Sequence, residues 1–218
     1  MSNHADTLPE APLCFARVQD EAELVQLESE REAMYLSRMP KSNIAWAEER
    51  LKDRARDAAG FVFALSRNGK LLAVSRALAA SSPEAELTGM NRMPDEFQRD
   101  PQAFEIGRIA SDPSGNSRPG YGMLIAACTA IWFLGELPES RYIAYCKPRV
   151  ARYWQNVGAA QVGETFGIEG RAKQYMIIAG RADAVKRSAL DAGWLSPGSV
   201  AALSSAQRRP ALLETFAR

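Results

Sequence analysis

"FEIGRIASDPSGNSRPGYGMLIAACTAIW" (Phe104–Trp132) joins three unlike pieces. Phe104–Ser111 is a short apolar stretch carrying one acid, Glu105, and one arginine, Arg108, and it reads as a strand. Residues 112–120 are rich in Gly, Pro, Ser and Asn and read as a turn. From about Tyr121 to Gly135, Met123, Ala127, Ala130 and Leu134 fall on one face of a helix. This order puts the unpaired N–H groups of the helix's first turn, and the positive end of its dipole, beside the end of the strand. Gly120 and Gly122 let a phosphate approach those donors, and Arg118 adds a charge-assisted contact. Taken alone, the stretch is equally readable as a plain turn in which the two glycines relieve strain.

The flanks extend the pattern. "FVFALSRNGKLLAVSRAL" (Phe61–Leu78) places Asn68-Gly69 between two β-rich runs, the signature of a hairpin closed by a type I′ turn. "CFARVQ" (Cys14–Gln19) is a short strand, and Asp20 caps a helix running to about Met39. In that helix Leu24, Leu27, Arg31, Met34 and Arg38 share or border one face, so arginines stand on or beside its buried edge. Pro40 ends it. Asn43 caps a second helix, with Ile44, Ala47, Leu51 and Ala55 on one face and charges on the other. Residues 80–103 form a polar excursion with one helical turn, of a length that in a compact domain is functional or disordered. "YIAYCK" (Tyr142–Lys147) is a strand. "PRVARYWQNVG" (Pro148–Gly158) is a helix with proline in its first turn and glycine at its end. "AQVGETFGI" and "KQYMIIAG" are two closing strands. The order is β-α-α-β-β-β-α-β-α-β-β, an α/β plan of the α+β kind. Residues 1–12 read as a leader, 13–181 as the core domain and 182–218 as a helical extension.

Composition bounds the function. The chain has 218 residues, 46% hydrophobic and 24% charged, with a net charge of +1, which gives no global attraction to nucleic acid or an anionic membrane. Cys14, Cys128 and Cys146 are widely spaced and odd in number, which fits reduced intracellular thiols. The single histidine, His4, lies in the leader, so Ser-His and Cys-His nucleophile schemes lack a base and no metal site is expected. The N-terminus lacks the basic and apolar regions of a signal peptide, and the run Met123–Leu134 is too short for a transmembrane segment. A cytoplasmic protein is expected.

The element order from about Phe15 to Gly180 resembles the GNAT acyltransferase superfamily. Ser117-Arg118-Pro119-Gly120-Tyr121-Gly122 keeps both glycines of that family's pyrophosphate loop, with Ser117 at the usual Arg or Gln position and Arg118 displaced by one. "FEIGRIAS" is similar to the Glu-x-small-Arg-hydrophobic strand of acyl-homoserine-lactone synthases and bacterial N-acyl amino acid synthases. "YCKPRVARYWQNVGAAQVGETFGIEGR" is similar to the region that follows in those enzymes. The acidic N-terminal motif by which the lactone synthases handle S-adenosylmethionine has no counterpart in "ESEREAMYLSRM" (Glu28–Met39), which points to another amine acceptor. The resemblance implies a mixed, mostly antiparallel central sheet with helices on both faces and a thioester site at the central strand–turn–helix unit. It implies N-acyl transfer from an acyl carrier protein or coenzyme A thioester to a primary amine, of an amino acid or of a peptide lysine or ornithine. A short-chain acetyltransferase and a non-catalytic thioester-binding module of the same fold are the alternatives. A homodimer is compatible with the pattern.

In that scheme Ser111, Ser117, Arg118, Gly120, Tyr121 and Gly122 hold the donor. Backbone N–H groups at a bulge near Ile109 and Ala110 polarise its carbonyl. Glu105, in an apolar strand that raises its pKa, is the candidate general base; its bland reading is a salt bridge to Arg108 or Arg76. Arg108 either takes an acceptor carboxylate in a bidentate pair or locks Glu105, and Arg76 has the same two readings. In a regular strand positions 105 and 108 face opposite ways, and a bulge brings them together. Tyr153 is the candidate acid for the leaving thiolate, displaced by one from the family's tyrosine position, which Trp154 occupies; Trp154 packs or lines an acyl channel. Cys146 lies beside the thioester slot, as a buried apolar residue or, less favoured, as an acylated nucleophile. Met90 and Met93 cap an apolar tunnel, and Lys147, Arg149, Arg152 and Arg171 face an acidic carrier protein or simply solvent.

Overall fold

A computed structural model describes residues 11–36, 53–112, 120–169, 171–205 and 210–213. Its strands are β1 (Leu13–Val18), β2 (Phe61–Arg67), β3 (Lys70–Ala79), β4 (Ala103–Ser111), β5 (Arg141–Cys146), β6 (Ala160–Ile168), β7 (Arg171–Arg181) and β8 (Ala211–Leu213). They form one sheet in the order β6-β7-β5-β4-β3-β2-β1-β8. Every neighbouring pair is antiparallel except β4 and β5, which are parallel. A parallel pair needs a crossover, and here the crossover is helix α5 (Tyr121–Glu136). The sheet is therefore mixed and mostly antiparallel, as the family resemblance implies.

Local chemistry explains the elements. Asn68 and Gly69 adopt φ of 50° and 75°, the two left-handed residues that a type I′ turn requires. The Asp20 carboxylate accepts the amides of Ala22 and Glu23 at 2.8 and 3.2 Å, capping α1 (Glu21–Leu36). Helix α2 is described over 53–59. α6 (Pro148–Gln155) begins on its proline.

The two sheet faces carry different cores. Ala73 and Ala77 of β3, Phe104 and Ile106 of β4, Tyr142 and Ala144 of β5, and Met176 and Ile178 of β7 face α5 and belong to the main core. Val74 packs with Leu27 of α1 on the opposite face. Ile143, Phe166, Tyr175 and Ile177 pack there too, in a second apolar cluster. The period of two holds along the strands between the register shifts.

Three expectations change. α5 is buried on all sides from Leu124 to Phe133 and not on one face, because α7 (Ala182–Asp191) and α8 (Pro197–Ser205) cover the side turned away from the sheet. Residues 80–103 hold two single-turn helices, α3 (Glu86–Gly89) and α4 (Asp95–Gln98), anchored by fully buried Leu87 and nearly buried Phe97. α2 turns its two acids inward: Asp53 and Asp57 are buried while Arg54 and Ala55 are exposed. The positions predicted for its apolar face at Ile44, Ala47 and Leu51 lie outside the described residues.

Candidate active site

β4 and β5 pair only from Ala103↔Arg141 to Glu105↔Ile143. Beyond that point β4 stays with β3 as far as Ala73↔Ser111, and β5 stays with β7 as far as Cys146↔Met176. The sheet thus splits immediately after Glu105. The facing edges of the split carry backbone donors and acceptors outside the β4–β5 ladder, a setting that suits an extended, amide-bearing chain.

β4 is irregular at the split. Val74 and Arg76 of β3 stand opposite Ala110 and Gly107, so β4 carries one extra residue there. Arg108 takes φ of 50°. The bulge reverses the facing that a regular strand would give: Ile109 packs with the main core, while Arg108 joins Glu105 on the opposite face.

That face holds a buried network of charges. Arg76, 1% exposed, donates to Asp53 at 3.2 Å, Asp57 at 3.1 Å and Glu86 at 2.5 Å. Arg31 of α1 makes a two-pronged pair with Asp57 at 3.1 and 2.7 Å. Arg108 Nε lies 2.8 Å from Asp53 and 3.3 Å from Glu86. Tyr145 of β5 donates its hydroxyl to the other oxygen of Glu86. Burial pushes Glu86 up, but Arg108, Arg76 and the Tyr145 hydrogen bond outweigh it and hold the carboxyl below its ordinary range.

Glu105 is treated differently. Its two oxygens accept the backbone N–H groups of Glu86 and Leu87 at 2.9 and 2.8 Å, at the start of α3. Burial, and then the negative charge of Glu86, push its pKa up to about 7, against the pull of the two amides and Arg76. The three guanidinium groups of Arg31, Arg76 and Arg108 are matched by the carboxylates of Asp53, Asp57 and Glu86. A carboxyl that changes charge near neutrality, held in place by main chain, is suited to accept a proton.

The other predicted residues divide clearly. The first turn of α5 rests on the bulged end of β4: a Cβ on Gly122 would lie 3.2 Å from Ser111 Oγ and 3.5 Å from an Ile109 methyl, so the close approach explains this glycine. Gly120 precedes the helix with φ −60° and ψ 152°, which any residue adopts, so it relieves no strain. Tyr121 is half-buried against the main core. Ser117 and Arg118 lie outside the described residues. Cys146 sits half-buried at the split end of β5, and burial pushes its thiol up to about 11, the opposite of an activated nucleophile. Trp154 is buried against the Tyr142 ring at 5.4 Å and is a core residue. Tyr153 is 46% exposed, and its hydroxyl accepts from Arg152 at 3.1 Å; the fold turns it to solvent and does not bring it to the Glu105 network.

Sequence reading missed Arg31's partner Asp57, and Asp53, Glu86 and Tyr145. The spacing of Asp53 and Asp57, one helical turn apart, was the available signal. Both acids of this buried pair are engaged by arginines. Next to the network, Met90, Met93 and the Tyr145 ring pack on the second apolar cluster. At the end of β5, Lys147, Pro148, Arg149, Lys173 and Gln174 line an open groove of about 290 Å³ with three cations. Among the described residues no His, Cys, Asp and Glu group has metal-holding geometry, and no helix is long and apolar enough to cross a membrane.

No family model matches the chain, and no curated protein matches it in sequence. Solved structures do match in fold. The acyl-homoserine lactone synthase LasI aligns at a TM-score of 0.60 and 13% identity, covering 82% of this chain and 94% of that one. The CoA-dependent lactone synthase MesI aligns at 0.56 and 14%, covering 82% and 95%. FeeM, an N-acyl amino acid synthase from uncultured soil microbes, aligns at 0.55 and 10%, covering 84% and 98%. With its mixed sheet and helices on both faces, the chain has the GNAT fold that these acyl-transferring proteins share.

Proposed function

We propose that this protein is an N-acyltransferase moving a medium- or long-chain acyl group from an acyl carrier protein or coenzyme A thioester to a primary amine. The amine belongs to an amino acid or to a peptide lysine or ornithine. The carrying observation is that the β4–β5 ladder ends at a buried carboxyl, Glu105, beside a bulge. The pantetheine arm lies in the split, and its phosphate end meets the first turn of α5 with Ser111, Tyr121, Gly122, Ser117 and Arg118. Of the two candidate amides, Ala110 belongs to the ladder opposite Val74, so the thioester carbonyl meets the amide of Ile109, whose hydrogen bond strengthens as its oxygen becomes anionic. The amine nitrogen attacks the carbonyl carbon, Glu105 takes its proton, the C–N bond forms and the C–S bond breaks. The sulfur leaves as a thiolate, which at neutral pH needs no tyrosine acid and takes its proton from solvent.

The apolar cluster beside the network, with Met90 and Met93, supports an acyl chain longer than acetyl, since methionine adapts to a flexible ligand. The three cations of the groove at Lys147, Arg149 and Lys173 support an acidic carrier protein as donor. A panel of acetyl, medium-chain and long-chain thioesters, each on coenzyme A and on acyl carrier protein, tests this reading by thiol release with varied amines. Faster amine-dependent release from the longer donors is expected, and faster release from the carrier protein at low salt than at high salt. Preference for acetyl-CoA would replace the reading with a short-chain acetyltransferase. Binding without release would replace it with a sensor.

A further inference from the structure

Arg108 is the one residue of the bulge whose backbone is strained. Among the described residues Asn68 and Asn91 also take positive φ, but asparagine visits that region readily and arginine does not. Such a conformation persists where the surroundings over-determine it. The surroundings here are a ring of alternating charge. Asp53 lies 2.8 Å from Arg108 and 3.2 Å from Arg76, and Glu86 lies 3.3 Å from Arg108 and 2.5 Å from Arg76. Arg76 stands opposite Gly107, so Asp53 ties together the two strands on either side of the bulge. Side-chain exposures of 9% for Arg108 and 5% for Asp53 keep water from competing for the pair.

We propose that Asp53 is a positioning residue for acyl transfer, holding Arg108 in its left-handed conformation so that the bulge keeps the amide of Ile109 aimed into the split, while Ala110 stays on the β3 ladder opposite Val74. This rests on reading the Ile109 amide as the carbonyl-binding group. Asp53 is a cleaner probe than Glu86, whose carboxylate also receives Tyr145 and whose amide holds Glu105. Arg108→Gly supplies the complementary test. Glycine takes positive φ without strain, so in that background the bulge no longer depends on the ion pair.

The experiment compares the wild type, Asp53→Asn, Arg108→Gly and the double variant by amide hydrogen exchange across 104–111 and by steady-state acyl transfer. Asp53→Asn is expected to speed exchange at Ile109 and Ala110 and to lower kcat about tenfold, with donor KM changed less than about twofold. In the Arg108→Gly background the further effect of Asp53→Asn is expected to fall below about twofold. Unchanged exchange in Asp53→Asn, or an equal loss of kcat in both backgrounds, would overturn the assignment. If Asp53→Asn alone does not fold, folding of the double variant supports the clamp. Failure of both overturns it, because Asp53 would then hold the core and not the bulge. If the wild type transfers no acyl group, the proposed function fails, while the exchange data still decide the clamp.

Discussion

Glu105→Gln is expected to abolish most amine-dependent turnover, by a factor of about a hundred to ten thousand, while donor binding is retained. The substitution keeps the size of the side chain and removes its ability to take a proton. Wild-type kcat/KM is expected to rise with pH through about 7, where Glu105 loses its proton, and the residual activity of the variant is expected to lack that step. The same group links pH to folding. Its folded pKa stands above its ordinary value of 4.5, so its contribution to stability is full below 4.5 and is lost as pH rises through about 7. The site thus holds the base ready at a cost to the fold. Gln has one acceptor oxygen where Glu105 offers two to the amides of Glu86 and Leu87. A destabilisation of about 1–3 kcal/mol follows. A cooperative melt in the variant separates the lost base from a lost fold. Activity within threefold of wild type would remove Glu105 from the mechanism.

The largest effect on stability is expected at Arg76. Arg76→Met removes the cation that faces Asp53, Asp57 and Glu86 at once, in a place where water does not reach. Arg31 and Arg108 remain, but neither touches all three carboxylates. Breaking one side of a buried ion pair costs about 3–5 kcal/mol. The deficit is expected to shrink as pH falls through the carboxylate range, because Glu86, which Arg76 helps to hold below its ordinary range, then binds a proton more readily in the folded variant than in the wild type. Denaturant unfolding of both proteins at about pH 7 and about pH 5 checks this. An equal deficit at both values would mean that lost packing of the guanidinium, and not lost charge, carries the effect.

What the sequence made legible was local. Asn68-Gly69 announced the hairpin because few dipeptides accept two left-handed residues. Asp20 and Pro148 announced helix starts by the chemistry of the first turn. Phe104–Trp132 announced a strand, a turn and a helix, and the structure makes that helix the crossover between parallel β4 and β5. Glu105 and Arg108 stood out as charges in an apolar strand. Their common face depended on a bulge, which is a matter of register against β3 and leaves no local mark. α2 was legible as a helix, but its inward face was misjudged: Asp53 and Asp57 are buried because Arg31 and Arg76 arrive from distant segments. Glu86 was hidden in a polar excursion for the same reason. Tyr153 was chosen by position in a motif, and one residue along a helix, about 100° of rotation, separates its solvent-facing side from buried Trp154. The all-round burial of α5 depended on α7 and α8, which follow it in the chain by tens of residues.

In the proposed reaction the acyl group passes directly from sulfur to nitrogen beside Glu105. The most direct test gives the protein a carbonyl-labelled acyl thioester with an amine acceptor and identifies where the label goes by mass spectrometry, on both the small molecules and the intact protein. The label is expected in an amide of the acceptor, formed in equal amount with free thiol, with the protein unmodified. Label on Cys146, or label released only as the free acid, would contradict direct attack by the amine.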